Sequence, residues 1–257
     1  MVNRSILVLA LGLALVLWPA VGWAQPTWVQ SAISGDQTSS TPTVSTASNV
    51  TDGSTLLLVI DITPSTRTVS GVSGCGATWA ELHAKVEAAD DHGTTSWVGT
   101  DASAGACTVT ATMSATGDQY TLAVVEIGDT RTDDSVDQAP VAETATANSL
   151  AIGPTGTTTA SDELVVVWAT GTVDSRDFDD AISGWTLQTE LEDVTGLRLY
   201  LNIWSQVQTA TQTWSATPTI ATGQNQYIVG GIVTFFEASG GAAVPCTMTL
   251  LGVGTCE

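Results

Sequence analysis

Acidic side chains gather at three polar stretches of this 257-residue chain: Glu87, Asp90 and Asp91 in "EAADD", Asp129, Asp133, Asp134 and Asp137 in "DTRTDDSVD", and Asp174, Asp177, Asp179 and Asp180 in "DSRDFDD". Calcium is the chemistry such groups suit, because it takes about six to eight oxygen ligands and tolerates irregular loops. None of the three follows the spacing of a D-x-[DN]-x-[DN]-G loop, so solvated acidic turns explain them more simply. The set Asp174, Asp177, Asp179 and Asp180 is the candidate Ca²⁺ site, because it leads straight into Gly184 and Trp185, which belong to a repeated motif. No other cofactor is expected.

Nucleophilic catalysis finds less support. His83 lies in the strand-like "ELHAKV" and His92 in "ADDHGTT", neither with an acid predictable beside it, and no GxSxG turn occurs. A glycosidase needs two carboxyls about 5–10 Å apart, and 26 acidic residues supply such pairs by chance. No catalytic residue is assigned. Of the tryptophans, Trp28 and Trp168 are the candidates for stacking on a sugar ring, since an indole face fits the apolar face of a pyranose. Trp79, Trp97, Trp185 and Trp204 are expected in the core.

Six basic residues against 26 acidic ones give a net charge of −20. Such a balance argues against nucleic acid and anionic membrane as partners and favours solubility. The apolar run 6–24, ending in small residues at Gly22 and Ala24, is expected to be a secretory signal peptide cut before Gln25. The product is then secreted, on a cell surface or a virion, with no membrane segment after cleavage. In that oxidising setting four cysteines are expected to pair as Cys75–Cys107 and Cys246–Cys256, each joining sequence neighbours. In the chain-entropy view these closures contribute roughly 4 and 3 kcal/mol.

The elements that must position these groups are strands. Threonine occurs 42 times, and "CTVTATM" puts Cys107, Val109, Ala111 and Met113 on one face and Thr108, Thr110 and Thr112 on the other. Similar runs occur at 27–33, 43–47, 55–62, 78–88, 94–99 and 120–127, before a polar stretch over 128–147. The order then returns: "ELVVVWAT" answers "TLLLVIDI", "GWTLQTEL" answers "ATWAEL", "LYLNIWSQV" answers "TTSWVG", "QTWSATPTI" answers "ACTVTATM" and "NQYIVGGIVTFF" answers "DQYTLAVVEI". Trp79 to Trp185 is 106 residues, and Trp97 to Trp204 and Tyr120 to Tyr227 are each 107, which reads as an internal duplication.

The expected fold is therefore all-β: one jelly-roll-like sandwich over residues 25–240, made of two Greek-key halves at about 41–128 and 147–237 that share an interior. "TWVQSAI", with no counterpart before the second half, completes a shared sheet in this reading. Because "TLLLVI" and "ELVVVW" are apolar without alternation, a crossing loop or a second subunit is expected to cover them. Residues 241–257, with "TLLGVG" between two cysteines, form a cystine-clipped tail suited to docking on a neighbour.

"WVQSAISGDQTSSTPTVSTASNVTDGSTLLLVIDI", "GATWAEL", "YTLAVVEIGDTRTDDSVDQA", "TGTTTASDELVVVWAT" and "SGWTLQTEL" together resemble a bacterial and phage-encoded extracellular β-sandwich domain of about two hundred residues. The resemblance spans 27–237 and implies a module of secreted, cell-surface or virion-associated proteins, without known catalytic residues; the cysteines and the tail depart from it. The expected function is a non-catalytic structural or adhesive role in such an assembly, with self-association as a partner mode. Recognition of a glycan, with or without Ca²⁺, is the alternative, followed by a glycoside-active enzyme.

Overall fold

A computed structural model describes residues 25–35, 37–87, 91–116, 119–130, 135–172, 178–191, 199–221 and 226–237. Residues 1–24, expected to be a signal peptide, the C-terminal tail with Cys246 and Cys256, and Asp90, Asp133, Asp134, Asp174 and Asp177 lie outside the described residues. Thirteen antiparallel strands account for the regular structure, and no helix occurs among the described residues. In order they are β1 (Thr27–Ile33), β2 (Thr43–Ser45), β3 (Ser54–Thr63), β4 (Val69–Ser73), β5 (Thr78–Glu87), β6 (His92–Ala102), β7 (Thr108–Met113), β8 (Gln119–Gly128), β9 (Val141–Ala147), β10 (Leu164–Thr172), β11 (Thr186–Leu191), β12 (Leu199–Val207) and β13 (Gln226–Phe235).

One five-stranded sheet runs β1-β8-β3-β6-β5 and a second runs β9-β13-β10-β12-β11, while β2-β7-β4 form a small third sheet. Both large sheets have the same strand order, and β9 borders β13 as β1 borders β8. The counterpart of "TWVQSAI" therefore exists, inside the stretch read as polar. Its sequence, "VAETATA", hid it: an edge strand with little buried area carries no apolar signature. A small layer also covers the second large sheet, held by the bridges Ser149 to Thr219, Ile152 to Ala216 and Phe178 to Ile220. It takes the place that the β2-β7-β4 sheet takes over the first. Residues 212–220 make isolated bridges instead of the expected strand, because Pro218 has no N–H to donate to a ladder.

Side-chain parity sorts the apolar residues into three interiors. Leu56, Leu58 and Ile60 of β3 face Val44, Val109 and Ala111 of the small sheet. Val165, Val167 and Ala169 of β10 face Leu150, Ile152 and Ala216. Between the two large sheets lies a third interior, where Leu57 and Val59 meet Val166 and Trp168. The single shared interior expected from the sequence is thus a shared layer flanked by two private ones. The runs "TLLLVI" and "ELVVVW" are apolar on both faces because each half covers the other, and no second subunit is needed.

Trp168 fills the shared layer with no exposure, over Gly231, where an added Cβ would lie 2.3 Å from the indole. Trp79 lies similarly over Gly99. In the first half Cys75 and Cys107 form a disulfide. At the corresponding corner of the second half, Trp185 and Trp214 pack edge to face with ring centroids 6.1 Å apart.

Candidate functional site

Among the described residues the buried ionisable groups are few, Asp61, His92, Glu126 and Glu163, and each has to be accounted for. The deepest group sits at one end of the shared layer. Asp61 interrupts the apolar run Leu56–Ile62 of β3, and Thr170 holds the matching position on β10, three residues beyond the matching Leu58 and Val167. His92, at the start of β6, brings Nε2 to 2.5 Å from Asp61 Oδ1 and 3.2 Å from the Thr170 hydroxyl. Asp61 and His92 are fully buried. Burial raises the Asp61 carboxyl above its usual range, against the pull of His92 and smaller hydrogen-bond contributions. A hydrolytic triad needs the acid on one ring nitrogen and the nucleophile on the other. Here both contacts fall on Nε2, Nδ1 has no partner, and no substrate path reaches the group. Its work is to bridge β3, β6 and β10 across the shared layer.

Sequence reasoning placed His92 in a loop without an acid. A signal for its partner existed, since a carboxylate within "TLLLVIDI" cannot be buried alone.

Two more carboxyls occupy related corners of the halves. Glu126 on β8 accepts hydrogen bonds from the Thr51 amide (2.7 Å), the Ser54 hydroxyl (2.9 Å) and the Gln30 amide group (2.5 Å). In the second half the carboxyl has moved to the other strand of the pair: Glu163 precedes β10 and stands beside Thr234 of β13. Glu163 accepts a hydrogen bond from the Ala160 amide at 3.1 Å, and its pKa is pushed up to about 8, by burial first and then by the Asp137 carboxylate, against the smaller pull of the Ala160 amide and the Thr234 hydroxyl. Asp137 is itself held by the Thr159 amide and hydroxyl at 2.9 and 2.6 Å. Of the two members of the Asp129 cluster that are described, Asp137 is therefore structural.

The candidate metal residues do not converge among the described residues. Asp179 accepts from the Thr219 hydroxyl at 2.5 Å, and the Asp180 carbonyl accepts from Trp204 Nε1 at 2.9 Å, so both anchor the second half. No group of three or more potential ligands occurs among the described residues. Trp168, proposed for sugar stacking, offers no face to solvent, because a strand central to a two-sided sheet buries every side chain. Trp28 is half-buried against the same layer. Trp79, Trp97, Trp185 and Trp204 pack into the private interiors.

Among the described residues, an opening for a ligand lies at the mouth of the first half. A cavity of about 210 Å³ lies there between β5, β6 and the segment leading into β4, with Ile62, Val69 and Val86 as apolar wall and Arg67, Lys85 and Glu81 at its polar side. Lys85 Nζ lies 3.9 Å from a Glu143 oxygen, and its side chain is 36% exposed. Next to it on β5, His83 is held neutral over a wider range than usual, because burial and the Lys85 charge lower its pKa against Glu81 and Glu143. A shallower depression of about 290 Å³ near Ala80, Val98 and Val136 carries no charged side chain.

Fold and site together define an all-β protein of packed antiparallel sheets, compatible with a β-sandwich. Comparison with protein-family models, with curated proteins and with solved structures finds no match for the chain.

Proposed function

We propose that this chain is a secreted or surface-displayed, non-catalytic β-sandwich that serves as a structural or adhesive module in a cell-surface or virion-associated assembly. One observation carries the reading: the Asp–His pair found among the described residues is fully buried between the sheets and spent on holding them together. In this reading the halves descend from one duplicated Greek-key unit of jelly-roll type, which the equal strand order of the two large sheets supports. Residues 1–24 serve as the export signal, consistent with a disulfide at Cys75–Cys107. Expression of the full chain in a bacterial host, followed by fractionation and N-terminal sequencing, tests the export step. A mature product beginning at Gln25 outside the cytoplasm is expected, and an uncut chain retained in the cytoplasm would overturn it.

The second reading, a glycan-binding module, is favoured by the cavity at the mouth of the first sandwich, with apolar wall and polar side. It no longer runs through Trp168. A glycoside-active enzyme has no observation in its favour beyond the abundance of carboxyls.

A further inference from the structure

At one end of the shared layer, Asp61 of β3 and His92 of β6 meet Thr170 of β10 out of reach of solvent. An acid and a base in contact inside an apolar layer are best held with one titratable proton between them, because none leaves a net charge of −1 and two leave +1, each desolvated. Such a charge would find little relief, since Asp61 Oδ2 and His92 Nδ1 have no hydrogen-bond partner. Among the described residues, His92 is the one charged group acting on Asp61. The strands around the pair are neutral on three sides: β8 sets Thr121 opposite Asp61, while β12 and β13 set Leu201 and Val229 opposite Thr170. On the fourth, β5 places Glu87 and Lys85, of opposite sign, at the register positions of His92 and Thr94. Asp91, next to His92 in the chain, is bound to the Ser65 amide and hydroxyl.

We propose that this pair is a pH latch on the shared layer: with one proton it ties β3 and β6 to β10, and gaining or losing a proton releases the two large sheets from each other while the private interiors stay closed. Released to water, the two side chains take up the ordinary carboxyl and imidazole values of about 4 and 6.5, so together they hold two protons below about pH 4, one between, and none above about pH 6.5. The latched pair holds one throughout. Latching is therefore strongest between those values, and the released form gains up to roughly tenfold per pH unit as pH falls below about 4 or rises above about 6.5. The device goes beyond the structural or adhesive role proposed above and does not depend on it.

Two indole N–H groups read the two kinds of interior separately. Trp168, two residues from Thr170, is buried in the shared layer with Nε1 unbonded, whereas Trp204 Nε1 is bonded to the Asp180 carbonyl in the second private interior. Indole hydrogen exchange is measured on the full chain carrying Glu163→Gln, which removes the other raised carboxyl, and is corrected for the intrinsic rate. Trp168 protection is expected to fall up to roughly tenfold per pH unit above about pH 6.5, with Trp204 unchanged. Asp61→Asn leaves His92 as the only titrating member of the pair. Its alkaline loss should then vanish and its acid loss begin near about pH 6.5 instead of about pH 4, a reversal that removing a purely structural contact would not produce. Should that variant fail to fold, the ring signals decide: the chain has two histidines, so His83→Gln leaves His92 alone to be followed by NMR. The His92 ring shifts are expected to stay constant from about pH 5 to about pH 8, through the range in which a free imidazole titrates. A ring titrating near about 6.5 in the folded chain, Trp168 and Trp204 exchanging in step, or an unchanged pH profile in Asp61→Asn overturns the latch.

Discussion

At the same corner of the two halves, one is closed by a covalent bond and the other by rings. Cys75 and Cys107 tie the turn before β5 to the start of β7 across a separation of 32 residues, whereas Trp185 and Trp214 meet edge to face at 6.1 Å. The first device acts mainly by restricting the unfolded chain, the second by burying area in the native one. Trp214 is also hydrogen-bonded, Nε1 donating to the Gln208 side-chain oxygen Oε1 at 2.5 Å, so its packing and its polar anchor reinforce each other. Two halves with one topology thus reach closure by different physics. The layer between them, built around Trp168, belongs to neither.

That difference can be broken in order of effect. Trp168→Ala removes the largest fully buried side chain of the shared layer and is expected to cost about 3–5 kcal/mol. Because both large sheets lean on it, urea unfolding should stay a single transition at lower denaturant; two separated transitions would show that the halves stand independently. Replacing Cys75 and Cys107 by alanine is next, expected to cost roughly 2–4 kcal/mol. Reductant should shift the melting of the wild type, which has this disulfide, and leave Trp214→Ala as sensitive as the wild type.

How far this was legible in the sequence depended on which residues had a pattern to show. The alternation of Val109, Ala111 and Met113 with Thr108, Thr110 and Thr112 is reproduced residue for residue, because a strand with one wet face writes its own parity. Strands β3 and β10 were found as apolar runs, but their cover was not, since a run apolar on both faces says that something covers it and not what. Edge strand β9 was missed because it buries little apolar area, and the five-residue β4 because Val69 and Val72, three apart around Gly71, do not show a strand's alternation. At the cavity, Arg67 and Lys85 are 18 residues apart, and only the fold brings them together.

The buried carboxyls sharpen the comparison with opposite expectations. Glu126 accepts three hydrogen bonds, so Glu126→Gln turns an NH2 donor toward donors and should cost about 1–3 kcal/mol. Glu163 is buried beside a carboxylate neighbour, and its pKa is raised from 4.5 to about 8. An acid with a raised folded pKa holds its proton in the native state after the unfolded chain has released it. Its contribution is therefore complete below about pH 4.5 and is lost as pH rises to about 8, by up to roughly 1.4 kcal/mol per pH unit. Glu163→Gln, a neutral shape mimic, should be near neutral at pH 5 and stabilising at pH 8, read as the difference between variant and wild-type urea midpoints. Equal differences at both pH values would place the proton elsewhere.

The smallest effect tests the register between the halves. Sequence spacing paired Tyr120 with Tyr227, but Leu58 lies opposite Trp97 and Val124 while Val167 lies opposite Trp204 and Ile232, so Val124 matches Ile232 and Tyr120 matches Ile228. A slip of one residue turns a strand's side chains to the other face. Tyr120 is accordingly fully buried in a private interior, its hydroxyl donating to the Ala115 carbonyl at 3.1 Å, and Tyr227 is half-buried outside the second private interior. Tyr120→Phe should cost about 1 kcal/mol, the net worth of one hydrogen bond, while Tyr227→Phe should stay within about 0.5 kcal/mol of the wild type. Equal costs would restore the spacing-based match, and with it a second half turned over relative to the first.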